Sequence, residues 1–187
     1  MHMGLKATIT TATPPMLTDG GLHRLLAWTS PSYPIGAYTY SHGLETAVDR
    51  GQVRDATSLS AYVEAVLSRG GGWTSAVLFC HAWRAAGDEP AFDEVAELAA
   101  AFAATAETAI ESHQQGRSFL QVTRQAWPHP ALDAFAMRIE RRPVAHAAVF
   151  ALACAAHGVP LETGLTGLIH GTAANLVSAG VRLVPLG

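Results

Sequence analysis

The stretch Thr57-Ser-Leu-Ser-Ala-Tyr-Val-Glu-Ala-Val-Leu-Ser-Arg-Gly70 carries its apolar residues in helical register. Leu59, Tyr62, Val63, Val66 and Leu67 fall at i, i+3, i+4, i+7 and i+8, which gathers them into one stripe along a helix. A strand would need alternation, and none is present. Thr57 is the predicted cap of this helix, and Gly70 to Gly72 are its predicted stop.

Working outward, the same pattern recurs between Gly and Pro breaks. Upstream, a helix is predicted over Gly21 to Trp28, then a loop over Thr29 to Ala37 with two prolines and a glycine, then a helix from Tyr40 to Arg50 capped by Ser41. Downstream, Trp73 to Ala86 is closed by Gly87. Pro90 then opens a long helical stretch to Ala126, either continuous or broken once. Gly116 is the candidate for a break, although a lone glycine costs a helix only about 1 kcal/mol. Trp127-Pro-His-Pro130 is a firm stop. Helices follow over Ala131 to Arg141, Pro143 to His157, and Pro160 to Val184, the last ended by Pro185. Gly164, Gly167, Gly171 and Ala174 recur along one side of that last helix. Close approach of a neighbour, from this chain or from a second subunit, would compensate their helix cost. The expected architecture is all-α: a single-domain bundle of about eight to ten helices over residues 21–187, behind a disordered segment over residues 1–20.

Composition narrows the function. The 187 residues suffice for a core that buries about 70% of the unfolded chain's surface. Charged residues make up only 14% of the chain against 49% hydrophobic, too few to coat a monomer, so apolar surface should be left for contacts. The formal net charge of −3 offers no field for nucleic acid, and Arg138, Arg141 and Arg142 are read as cations at a helix C-terminus. Cys80 and Cys154 lie in apolar helical stretches and read as small buried residues of a reducing cytoplasm. The N-terminal stretch lacks the apolar region of a secretory signal. The most apolar run, Val144 to Ala156, is too short to span a membrane.

The sequence carries no motif of nucleophilic or phosphate chemistry. There is no Gly-x-Ser-x-Gly elbow and no phosphate loop, and the single lysine, Lys6, lies in the N-terminal segment. Cys154 and His157 would share a helix face, as would His42 and Glu45. No second Cys pair completes a zinc site, however, and the one His-x-x-Glu runs opposite to the di-iron motif. Neither catalytic residues nor a resident metal or cofactor is expected. Ser30-Pro-Ser-Tyr-Pro-Ile-Gly-Ala-Tyr-Thr-Tyr-Ser-His-Gly-Leu-Glu45 stands out instead, with three tyrosines, a histidine and a glutamate around a Pro/Gly-shaped loop. Such a segment serves either as a contact surface or as a loop pinned to its own core.

That segment resembles the N-terminal signature of the UreF family, S-P-x-x-P-x-G-x-[FY]-[ST]-Y-S-H-G-L-E. Gly116-Arg-Ser-Phe-Leu120, within Glu111 to Leu120, is similar to the family's G-R-x-[LF]-L. Ala155 to Glu162 and Asn175 to Gly187 are similar to its C-terminal blocks, the latter to S-N-x-V-S-A-A-V-R-L-V-P-L-G. The resemblance implies an all-α homodimer in the cytoplasm. It implies binding to UreD/UreH, recruitment and regulation of the GTPase UreG, and nickel insertion into apo-urease, without enzymatic activity of its own. Carried over by position, Tyr38, Tyr40, Ser41, His42 and Glu45 are the expected shapers of a partner surface. Arg182, Pro185, Leu186 and Gly187 belong to the block the family uses toward UreD/UreH. The family continues past P-L-G with a polar Q-T-x-G-Q tail, whereas this sequence stops at Gly187; the stretch given resembles the folded core of such a factor. The competing expectation is a nickel-carrying bundle that uses His42, Glu45 or the Cys154/His157 pair.

Overall fold

The structure, a computed structural model, describes residues 16–37 and 42–185. It contains nine helices and no strand among the described residues. They are α1 Asp19–Trp28, α2 Leu44–Asp49, α3 Ala56–Arg69, α4 Gly71–Ala85, α5 Glu89–Ala101, α6 Ala106–Ala126, α7 Pro130–Ile139, α8 His146–Ala156 and α9 Leu161–Leu183.

Helix α8 sits at the centre because its sequence, HAAVFALACAA, offers no polar face to water. It packs against α4, α5, α6, α7 and α9, and every residue from Ala147 to Cys154 is buried. Phe79, Phe119, Phe150 and Trp28 interlock around it; the Trp28 ring meets Phe119 and Phe150 edge-on at 5.9 and 6.2 Å. A smaller core lies apart, where α2 and the start of α3 close over the C-terminal end of α9. It consists of Leu44, Ala47, Val53, Leu59, Ala179 and Val184.

Boundaries shift from their predicted places for physical reasons. Asp55, not Thr57, caps α3: its carboxylate accepts from Ser58 N at 2.8 Å, and Ser58 Oγ accepts from Asp55 N at 3.1 Å, a reciprocal box. The first helix starts earlier, at Asp19, because Thr18 Oγ1 accepts from Gly21 N at 3.1 Å. The second is shorter and is capped by Gly43, while the predicted cap Ser41 lies outside the described residues. The break in the long stretch falls at residues 102–105, where Thr105 starts a new helix with its own box to Thr108. Gly116 is instead buried inside α6, where a methyl group would overlap the Val144 carbonyl. Residues 143–145 lie outside the helix, with the N-cap Ala145 extended, so α8 opens at His146 rather than at Pro143.

Of the three arginines expected to decorate a helix end, Arg138 does lie in the last turn of α7, and both it and Arg142 also act as staples. Arg138 pairs with Asp93 at 2.8 Å and Glu89 at 3.0 Å, and Arg142 pairs with Glu97, tying α7 and the turn after it to α5. On α9, the close approach predicted at the glycines comes from within the chain. A Cβ at Gly164 would sit 2.8 Å from the Phe79 ring, and one at Gly167 would sit 2.7 Å from Leu25. Gly171 is the exception, with its nearest neighbour, Thr29 Cβ, at 4.0 Å.

Candidate functional site: a histidine anchor at the edge of a large cavity

Gly43 adopts φ 82° and His42 φ 50°, so the chain enters α2 through two successive left-handed residues. Glycine takes this conformation freely, but histidine does so at some cost, which its surroundings must offset. Three contacts do so. Tyr62 of α3 donates its hydroxyl hydrogen to the His42 carbonyl at 2.7 Å, the His42 imidazole Nε2 lies 3.4 Å from Glu111 Oε1, and Leu44 is fully buried in the smaller core. Glu111 is only 6% exposed, and Gln115 donates to it at 3.2 Å. Burial pushes the Glu111 carboxyl above its usual range, and the neighbouring His42 and Gln115 oppose that shift.

This pair borders a cavity of about 650 Å³, within the range of ligand-sized pockets. Its wall includes His42, Glu111, His113 and His146, the glycine turn between α3 and α4, and the α5–α6 loop. His113 Nε2 sits 2.9 Å from the Ala100 carbonyl. His146 Nε2 is enclosed without a hydrogen bond, and burial drives its pKa down to about 4. Among the described residues no three His, Cys, Asp or Glu side chains are placed to share a metal ion.

The predicted contact residues divide. Glu45 is exposed in the first turn of α2, and Arg182, whose Nη1 donates to Ser178 at 3.2 Å, is exposed in the last turn of α9. Pro185 is exposed just beyond. Because α2 packs on α9 over the smaller core, these residues belong to one end of the bundle, where Val177 and Val181 are also exposed. Tyr38, Tyr40, Ser41, Leu186 and Gly187 lie outside the described residues.

Other expected pairings do not form. His42 precedes α2 and turns to Glu111 rather than sharing a helix face with Glu45. Cys154 is wholly buried, with burial raising its thiol pKa well above the ordinary range, while His157 ends α8 against Trp28. Cys80 is only half-buried, less than expected.

Of the tyrosine-rich loop, Tyr33 belongs to the core. Its hydroxyl shares a 2.8 Å hydrogen bond with Thr123, and its ring stacks on Trp127. Glu111, Tyr62 and Thr123 are partners that motif reading missed. The signal that could have hinted at Glu111 is its helical register with Phe119 and Thr123, on the buried face of α6. The G-R pair is structural: Gly116 admits the Val144 backbone, and Arg117 donates to the carbonyls of Arg142 at 2.9 Å and Glu140 at 3.4 Å.

Fold and site together describe a single-domain helical protein whose most developed polar feature anchors a loop. Residues 53–187 match the UreF family. A urease accessory protein UreF of Granulibacter bethesdensis is 48% identical over 171 residues, covering 90% of this chain and 72% of that protein. One from Rhodopseudomonas palustris strain BisB5 is 42% identical over 186 residues, covering 97% and 76%. One from Xanthobacter autotrophicus is 48% identical over 165 residues, covering 87% and 68%. The chain belongs to the UreF family of urease accessory proteins.

Proposed function

We infer that this protein supports urease maturation as a scaffold. It binds UreD/UreH, recruits the GTPase UreG and regulates when it acts, and so assists nickel insertion into apo-urease. Within this reading it works in the cytoplasm as a homodimer and catalyses no reaction itself. The observation that carries the reading is the union of two distant sequence blocks at one end of the bundle. Glu45 and the His42 turn from one block, and Arg182 and Pro185 from the other, meet around the smaller core.

That end suits protein contact. It offers a carboxylate, a guanidinium and the exposed apolar side chains Val177 and Val181. Such a mixture of apolar area with a few charges is typical of contact surfaces. Tyr38, Tyr40, Ser41, Leu186 and Gly187 extend the same two blocks and are assigned to the same surface.

Co-purification tests the proposal. The chain should capture its cognate UreD/UreH at micromolar concentration, and that complex should then retain UreG. Combined Glu45→Ala and Arg182→Ala substitution should weaken capture about tenfold or more while leaving the helical circular dichroism unchanged. Absence of any complex with UreD/UreH would sink the reading.

A further inference from the structure

A different corner of the molecule concentrates positive charge. Arg24 of α1 and His129 at the start of α7 lie close to His157 at the end of α8, and His157 packs on Trp28. The His129 and His157 rings lie 5.3 Å apart edge to face, and the His157 ring lies 5.7 Å from Trp28. Arg24 Nε and His157 Nε2 are enclosed and make no hydrogen bond among the described residues. The Ala131 N–H donates to His129 Nδ1 at 3.2 Å, which assigns the neutral ring's proton to Nε2 and leaves that N–H as a spare donor.

The charges around this corner come from several elements. Arg24 and His129 are the charges acting on His157, and both are positive. Burial first, then these two neighbours, hold its pKa below the ordinary range, against a weaker opposing effect from the Trp127 backbone. The nearest acid on α7, Asp133, is already engaged by Arg124 of α6 at 2.7 Å. The N-terminus of the ten-residue α7 adds partial positive charge at His129, while the C-terminal end of α8 adds partial negative charge at His157. Among the described residues Arg24 forms no ion pair.

We propose that this corner is an oxyanion site, in which the Arg24 guanidinium and the His129 and His157 imidazoles receive one carboxylate or phosphate group, with Trp28 as its apolar wall. The chemistry follows from the donor set. A planar guanidinium and two imidazoles are all donors when charged, and charge-assisted bonds to an anion are the strongest that such groups make. Binding would also favour protonation of His157, so affinity should rise as pH falls toward the histidine range. The site is remote in sequence from the Glu45 and Arg182 end, and its fate is separate from that of the scaffold reading.

The test is an NMR titration of the whole chain, following the histidine ring C–H signals. Chloride is replaced at constant ionic strength by inorganic phosphate in one series and by acetate in the other. The expected result is a saturable shift of the His129 and His157 signals, with the His157 pKa moving upward. The half-saturation concentration should rise about tenfold in Arg24→Gln, the scale of one lost charge-assisted pair. Saturation by phosphate alone assigns the site to phosphate groups, and saturation by acetate alone assigns it to carboxylates. Linear shifts in both series would overturn the proposal. So would an unchanged titration in both Arg24→Gln and His129→Gln, each first checked for a native melting curve.

Discussion

The imidazole of His42 reaches back from a left-handed turn to within 3.4 Å of the Glu111 carboxylate on α6. The turn that leads into the smaller core is therefore tethered to the main one. Removing the imidazole leaves a buried carboxylate with Gln115 as its remaining side-chain partner. His42→Ala should cost about 1–3 kcal/mol in urea unfolding at neutral pH, the usual penalty for stranding a buried polar group. Glu111→Gln removes the charge along with the need to neutralise it and should cost less. The double variant should lose less than the sum of the two single ones. Additive losses would mean that the two residues do not interact.

The period of a single helix is legible in the sequence, whereas most contacts between helices are not. The stripe Leu59, Tyr62, Val63, Val66 and Leu67 announces α3 because its period is a local property. The apolar run from Val144 to Ala156 announces a buried helix for the same reason. Gly116 carries no local sign that a carbonyl from a segment nearly thirty residues away lies against it, so it stands in the sequence as a candidate break and not as a crossing. The signature from Ser30 to Glu45 was visible as a unit, yet its residues serve different ends. Tyr33 turns inward to Thr123, His42 turns sideways to Glu111, and Glu45 faces solvent. Spacing alone does not separate these roles, because the partners come from α6 and α3.

The glycines offer a contrast that tests the packing directly. A methyl group at position 116 would overlap backbone atoms of Val144, Ala145 and His146, which cannot rotate away. Gly116→Ala should therefore push α6 from α8 and cost about 3 kcal/mol or more, at the upper end for single substitutions. At position 171 the nearest atom is 4.0 Å away. Gly171→Ala should be neutral or stabilise by up to about 1 kcal/mol, since alanine favours a helix interior. Thermal melts of the two variants decide the point. Equal destabilisation by both would contradict the described packing.

His146 should shape the acid limb of stability. Its Nε2 is enclosed, its ring lies 5.3 Å from Phe119 and 5.7 Å from Phe150, and burial lowers its pKa from 6.5 to about 4. Between those values the unfolded chain binds a proton that the folded chain refuses, so stability rises with pH across this window. The contribution is complete above about pH 6.5 and lost as pH falls toward about 4, a swing of about 3 kcal/mol. His146→Leu removes the titrating group and should flatten unfolding free energy across this window. An acid limb of unchanged steepness in the variant would show that other groups control it.

The bond between Tyr33 and Thr123 gives the last test, because it pins the tyrosine-rich loop to α6. Thr123 is fully buried, and burial raises the Tyr33 pKa while the Thr123 hydroxyl opposes that rise. Thr123→Val keeps the shape but leaves the tyrosine hydroxyl without its 2.8 Å partner. It should cost about 1–3 kcal/mol, the penalty for an unmade buried bond. Tyr33→Phe strands only the threonine hydroxyl, which can turn toward a carbonyl of its own helix, and should cost less. In the double variant both polar groups are gone, and stability should recover part of the Thr123→Val loss. Denaturant midpoints for the three variants measure this ordering. A double variant weaker than Thr123→Val would mean that the hydroxyls stabilise the loop through partners other than each other.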